Sequence, residues 1–496
     1  MPTTCRLVNG NCMPGKTRSV NGNGNDMHEQ FSGEADRQDG EENLRYTQEL
    51  SRSLGLWGNV ALCVAAITPA VGVFAIAPIL LNMAGTGAVW ALLIAGLLGL
   101  SMAACYGELG SAYPIAGGDY SVISRTLGKA AGFVSLVFTG PVCAFLIPAV
   151  VALTVATYLN VVVPLDARWV GAVVIALGTV IAILGVRFSA RLVGLLLTVE
   201  LLVVVFVTLL GFAQTQRSLS EVLRPTTFGP EGAQSLAAGA LLAAVAVAAF
   251  TYNGFQGALL FSEETSGGGR NIARSVFISL GVAVSFGVIP VLGGLLGARS
   301  LADFTTSATP WQQLLTDTGG KVFNTIVSLG IALAVVNGVM ALTPYFARVV
   351  YSSGRDRMWP GPISRALAKV HPRFETPWVA TLVIGVAGVL LILTTDVETM
   401  ATVIGTIIAL EMILVAVSAI VSRVRFPRLP RPYRMPLWPA APTAAIALCL
   451  VVLAEQTRKD QITAFVIVGI SLLYYWFYLR PRSQTHMRML NPAESD

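Results

Sequence analysis

Apolar runs of about 18 to 28 residues recur along this chain between short polar stretches, each long enough to cross a hydrocarbon core of about 30 Å as a helix. They fall at residues 56–84, 87–110, 130–160, 168–187, 189–214, 235–263, 272–297, 321–350, 377–395, 397–421, 440–456 and 459–480. This pattern predicts about twelve membrane spans.

Two of the runs are interrupted near their centres. The first reads LCVAAITPAVGVFAIAPILL, with Thr68, Pro69 and Gly72 in mid-run. Proline removes a backbone donor and clashes with the preceding turn, and glycine weakens a helix by roughly 1 kcal/mol relative to alanine. The sixth reads AVAAFTYNGFQGALLF, with Asn253, Gly254 and Gly257 at comparable depth. A kink or a close helix contact accounts for one such helix. Two of them, five spans apart, fit an inverted repeat of five helices whose discontinuous members meet at the bilayer midplane. The halves share this pattern without residue-level identity.

Composition agrees with the pattern. The 496 residues are 54% hydrophobic and 12% charged, with a mean hydropathy of +0.69, which marks a membrane protein. The formal charge of +6 is spread in short clusters between apolar runs, so it reads as topology and not as a nucleic-acid surface. With the N-terminus in the cytoplasm, inside loops hold about twenty Lys and Arg, among them Arg348, Arg355, Arg357, Arg423, Arg425, Arg428 and Arg480, against about seven outside. An even number of spans places both termini in the cytoplasm of a plasma (inner) membrane protein. Cys5, Cys12, Cys63, Cys105, Cys143 and Cys449 show no metal or disulfide spacing. His28, His371 and His486 lie in tails or loops, which excludes a histidine relay through the bilayer. Residues 1–50 are rich in Gly, Asn, Asp, Glu and Ser and read as a disordered cytoplasmic tail without signal-peptide features. The expected organisation is then a transporter domain over 51–480, with a first repeat at about 55–214, a second at about 235–421 and extra helices over 440–480, followed by a C-terminal cytoplasmic tail over 481–496.

The stretch after the second span, GELGSAYPIAGGDYSVISRTLGKAAGF, resembles the signature of the amino acid–polyamine–organocation transporters, with Glu108, Leu109, Pro114, Gly117, Gly118, Tyr120 and Gly128 in the matching positions. FSEETSGGGRNIARSV, RVVYSSGRDRMWPGPISRALAKVHPRFETPWVA and RPYRMPLWP are similar to three later motifs of that family, in the same order. The resemblance covers roughly residues 50–480. It implies an all-α polytopic membrane protein of about 12 helices with a LeuT-like 5+5 inverted repeat, broken helices 1 and 6, and the last two helices outside the repeat. Family members carry amino acids, polyamines or related amines. The chain departs from the family where TPAVGVF replaces a Gly-Ser-Gly-like run, where Gln256 replaces a glutamate and where Glu200 replaces a lysine of the fifth helix.

Unwinding a helix in mid-membrane frees backbone groups that cost several kcal/mol each if left facing lipid. A polar ligand can satisfy them. The N-terminal end of a half-helix suits a carboxylate and a C-terminal end suits an ammonium, so a zwitterionic amino acid matches both. The candidate substrate-binding residues are Thr68, Pro69, Ala70, Val71 and Gly72 at the first break, and Phe250, Tyr252, Asn253, Gly254, Phe255 and Gln256 at the second. Phe250 matches a substrate-covering aromatic in the resemblance, whereas aromatics at helical spacing are more often packing residues. Glu200 and Glu411 stand within apolar runs, where an isolated carboxylate is costly enough to suggest proton coupling; the competing reading is a neutral glutamate bonded to a neighbouring helix. Glu108, Glu263 and Glu264 are expected to pair with Arg125, Lys129, Arg270 and Arg274 at helix ends. Asn337 is expected either to contact a coupling ion or to bond a neighbouring helix.

The sequence offers no nucleotide-binding loop, metal cluster or catalytic triad, so neither an enzyme nor a cofactor is expected. The expected partners are a small-molecule substrate, a proton or Na+ as coupling ion, and the lipid bilayer, with no nucleic acid. The expected function is a permease moving amino acids or related amines by alternating access. A polyamine or amine exchanger on the same fold, a channel and a substrate-sensing receptor are the other readings.

Overall fold

Several helices start at a polar side chain that caps them. Asp166 accepts from the N–H groups of Arg168 and Trp169, Thr457 from Asp460, and Asp396 from Thr399. The Thr399 N–H and hydroxyl hold the Asp396 carboxyl below the usual carboxylate range. The structure, a computed structural model, describes residues 45–46, 55–113, 117–184, 186–229, 232–262, 265–487 and 491–492. Apart from Arg45–Tyr46, which pairs in parallel with Asn491–Pro492 in a small unit of its own, the expected N-terminal tail lies outside the described residues, as do Pro114, Glu263 and Glu264.

Along the main unit the helices are α1 (Leu56–Ile67), α2 (Pro69–Val71), α3 (Ala77–Ala84), α4 (Ala88–Ala112), α5 (Asp119–Thr126), α6 (Lys129–Val137), α7 (Cys143–Leu159), α8 (Ala167–Ile183) and α9 (Val186–Ala213). After α10 (Leu219–Val222) and a short antiparallel hairpin, Thr226–Gly229 with Gly232–Ser235, come α11 (Ala238–Thr251), α12 (Gly257–Leu260) and α13 (Gly268–Gly297). The chain continues with α14 (Leu301–Thr306), α15 (Pro310–Arg355), α16 (Gly361–Leu367), α17 (Trp378–Thr394), α18 (Val397–Arg425), α19 (Ala440–Ala454) and α20 (Arg458–Tyr474). Among the described residues seven helical stretches are long and apolar enough to cross a membrane, and four shorter apolar helices stand beside them. This is an all-α, multi-pass membrane protein.

The apolar runs coincide with helices to within a few residues, with one instructive difference. The run at 321–350 is the inner part of α15, which begins at Pro310 and is bent at Gly320, where φ is 77°. Its first turns, PWQQLLTDTGG, are too polar to read as membrane-spanning.

The broken segments sit inside. The α13 helix packs on α4 and α1, α15 on α7 and α9, and α11 between α4 and α18. Outward faces carry apolar side chains in the open, such as Leu202 and Leu209 on α9, Leu177 on α8, Val386 and Leu390 on α17, and Phe465 on α20. A chain that exposes such belts requires lipid around them.

The ion pairs at one end of the bundle differ from expectation. Glu108, at the end of α4, does not pair with Arg125 or Lys129. It accepts from Arg423 Nε at 2.6 Å and from the Met435 N–H at 2.7 Å, and lies 3.2 Å from Arg431. Arg125 donates to Ser121 and Lys129 to the Ser483 carbonyl. A carboxylate 2% exposed needs several donors, and the α18 terminus and the linker after it bring two guanidiniums together where the local sequence offers single charges.

Candidate functional site

At the first break the chain leaves helical geometry at Thr68, which takes φ 49° and ψ 75°. Pro69 has no N–H to return to Ala65. The next N–H, from Ala70, donates instead to Glu200 Oε1 on α9 at 2.9 Å, and that of Val71 donates to the Thr68 carbonyl at 2.9 Å. The donors that would have reached the Ala65, Ala66 and Ile67 carbonyls are therefore absent or turned elsewhere. Glu200 is fully buried, and its second oxygen accepts from Asn337 Nδ2 on α15 at 2.7 Å. Beyond the break a π-helical turn, Gly72–Ile76, loosens the backbone again. There the Val73 carbonyl accepts from the Trp311 indole at 2.8 Å and the Phe74 carbonyl from the Tyr158 hydroxyl at 2.9 Å. The Phe74 ring meets both aromatics edge-on at 5.8 Å. These contacts seal the α3 side.

At the second break α11 stops at Thr251, and residues 252–256 turn before α12 begins at Gly257, the Tyr252 and Asn253 N–H groups donating to the Ala249 and Phe250 carbonyls three residues back. Here the segment satisfies itself. Gln256 Oε1 accepts from the Gly254 N–H at 2.9 Å, and its Nε2 donates to Asn253 Oδ1 at 2.7 Å. Gly254 has φ 126°, and a Cβ there would lie 2.7 Å from the Ile67 nitrogen, so only glycine lets the two breaks touch. The first break answers in kind, since a Cβ on Gly72 would lie 2.6 Å from Thr251 Cγ2.

Between the breaks lies a narrow cavity, little wider than a water molecule in this conformation. Thr68, Val71 and Gly72 line it from one side and Phe250, Thr251, Asn253 and Gly254 from the other, with Ile147, Leu342, Tyr345 and Phe346 closing it. Among the described residues no charged side chain lines it. The Thr251 hydroxyl is buried without a partner. On the α1 side, Asn59 Nδ2 donates to Thr265 Oγ1 at 2.8 Å, tying α1 to the chain beyond α12.

The expected binding residues are thus divided. Thr68, Val71, Gly72, Phe250, Asn253 and Gly254 face the cavity. Pro69 and Ala70 do not, the Ala70 N–H being turned to Glu200. Tyr252 faces away, its hydroxyl donating to the Leu92 carbonyl at 2.9 Å. Phe255 and Gln256 line a neighbouring cavity together with Glu411, and Asn253 reaches both. The two intramembrane carboxylates are not brought together: Glu200 clasps the first break, while Glu411 accepts from Ser135 Oγ on α6. Thr251, Tyr345, Tyr158 and Trp311 were not singled out in the sequence, since a threonine or an aromatic inside an apolar run carries no mark of its own.

Two broken helices that meet at a cavity, inside a bundle that exposes apolar belts, mark an integral membrane protein built around an internal site. Residues 54–479 match the amino acid permease family model, and the chain belongs to that family. It is 26% identical over 465 residues to the branched-chain amino acid permease BcaP of Bacillus subtilis, covering 88% of this chain and 95% of that protein. The methylthioribose transporter of the same organism is 26% identical over 467 residues, with the same coverage. The human large neutral amino acids transporter small subunit 2 is 26% identical over 361 residues, covering 70% of this chain and 65% of that protein.

Proposed function

We propose that this chain is a secondary active transporter for neutral amino acids with apolar side chains, working by alternating access in a plasma (inner) membrane with both termini cytoplasmic. The observation that carries this reading is the cavity formed where the two broken helices meet, lined by residues of both and, among the described residues, by no charged side chain. A substrate carboxylate belongs at the N–H side of the first break, near Val71 and Gly72. Its ammonium belongs at the carbonyl ends of α1 and α11, with the Thr251 hydroxyl in reach. Ile147, Phe250, Leu342 and Phe346 would receive an aliphatic or aromatic side chain. Two relatives named for branched-chain and large neutral amino acids agree with that chemistry. A polyamine exchanger is not favoured, since no carboxylate lines the cavity between the breaks.

The wider framework belongs to the same reading: twelve spans, a LeuT-like 5+5 inverted repeat over about 55–214 and 235–421, and two further helices over 440–480. Opening would separate the contacts of Trp311 and Tyr158 with the π-turn on one side and the Asn59–Thr265 bond on the other. The coupling ion of this reading is a proton or Na+, with Glu200 and Glu411 as the candidate carriers of a proton.

The test is counterflow of labelled amino acids into proteoliposomes holding the purified chain. Saturable exchange of leucine-like and phenylalanine-like substrates, with spermidine and arginine excluded, is the expected result. Flux that does not saturate would replace the carrier with a channel.

A further inference from the structure

The neighbouring cavity is the part of the structure that the amino acid site does not explain. It is a narrow space beside the second break, lined by Asn253, Phe255 and Gln256 and by two carboxylates: Glu411 of α18 and Asp119, the first residue of α5. Asp119 Oδ2 accepts from the Tyr106 hydroxyl of α4 at 3.1 Å. One oxygen of Glu411 accepts from Ser135, while the other, Oε2, is buried without any partner, in a residue 6% exposed. The titratable groups around them are Tyr106 on α4, Cys143 on α7 and, within electrostatic reach of Asp119, Tyr345 on α15. Among the described residues no lysine, arginine or histidine lines the cavity.

A second irregularity faces the same space. Between α6 and α7 the chain forms a π-helical turn, Phe138–Val142, with Pro141 inside it, and Thr139 from that turn joins the lining. Two acidic groups in one buried space, with oxygen-bearing neighbours and no base among the described residues, repel one another and forgo hydration when ionised; a positive charge between them relieves both costs. Two carboxyls fall short of the cluster a divalent metal needs, and no group of three metal ligands occurs among the described residues.

We propose that this second cavity binds a single positive charge, held between Glu411 and Asp119, and that the Asn253–Gln256 bridge in the cavity wall links its occupancy to the amino acid site. Asn253 lines both cavities, and Gln256 donates to Asn253 while accepting from the Gly254 N–H that lines the first. Filling one cavity therefore changes which partners that amide pair has for the other. The inference rests on the transport reading and places coupling at the Glu411–Asp119 pair, leaving Glu200 as the clasp of the first break. A proton and Na+ share the required chemistry.

The test uses the full chain and its Glu411→Gln and Asp119→Asn variants in two arms. In proteoliposomes, both variants are expected to keep leucine counterflow and to lose gradient-driven accumulation on the order of tenfold. A pH gradient and a Na+ gradient, applied separately, identify which cation is used. Accumulation at the parent level in both variants would overturn the proposal, as would counterflow lost in step with accumulation. The second arm needs no transport: infrared difference spectra of purified protein across a pH step, with and without Na+. The parent is expected to show a carboxylic C=O signal that Na+ suppresses if sodium competes for the site, and that each substitution removes. Unchanged spectra in both variants would sink the site even with transport intact. Absent counterflow in the parent with the infrared signal present would sink the transport reading and leave the site standing.

Discussion

The two helix breaks face each other across the same cavity, yet they are stabilised in opposite ways. The first borrows its partner from far along the chain: Glu200, 130 residues from Ala70, accepts the exposed N–H and is itself fixed by Asn337. The second uses Gln256, two residues from the N–H it accepts. A borrowed partner ties the break to α9 and α15, so the first break is held by the bundle. A local partner can turn away without disturbing a neighbouring helix, so the second break is free to exchange its bond for one to a ligand. The comparison assigns rigidity to one wall of the cavity and adaptability to the other.

The largest effect comes from removing what lets the walls touch. Gly254→Leu would drive side-chain atoms into the Ala66–Ile67 backbone, and counterflow is expected to vanish. Folded protein with parental counterflow would mean that the walls do not need to meet.

Next in size is Glu200→Leu, which leaves the Ala70 N–H and the Asn337 amide without an acceptor at a cost of about 1–3 kcal/mol each. Thermal unfolding in detergent is expected to show a large drop in Tm. Glu200→Gln sharpens the point, because an amide can accept only one of the two bonds. It is expected to lose about half of that stability while gradient-driven accumulation survives. Accumulation lost with Tm unchanged would return Glu200 to the role of proton carrier.

Gln256→Leu should be milder, about 1 kcal/mol in stability, with its main effect on substrate KM, because the Gly254 N–H it releases faces a cavity that a ligand or water can fill. A Tm loss equal to that of Glu200→Leu would erase the distinction between the walls. The smallest effect belongs to Tyr252→Phe, which forfeits one hydroxyl bond to the Leu92 carbonyl, about 0.5–1.5 kcal/mol, with counterflow kinetics unchanged. A shift in KM would place Tyr252 back among the residues that meet substrate.

Much of this architecture is legible along the chain. Thr68-Pro69 and Asn253-Gly254 announce their breaks because proline lacks a donor and glycine and asparagine tolerate turns, and these effects act within a residue or two. Glu200 and Glu411 look alike in sequence, each one carboxylate in an apolar run. Only their neighbours distinguish them: two donors satisfy both oxygens of Glu200, whereas Glu411 has one bonded oxygen and one that faces no donor. Asp119 carried no signal, since it sits in a polar stretch between spans and acquires meaning only when α5 is folded against α18. The pairing of Glu108 was misread for the same reason: nearby bases were the visible candidates, and the bases that reach it, Arg423 and Arg431, arrive from the other end of the domain.

The sequence by itself determined where helices run, where two of them stop, and that lipid surrounds the whole, because hydrophobic length and backbone conformational preference are properties of consecutive residues. The tertiary structure decided which groups those stops meet and how the acidic residues divide between a clasp and a cavity. Burial obliges every polar group to find a partner, and the partner is chosen by proximity in space, as between Ser135 and Glu411 at 276 residues' separation.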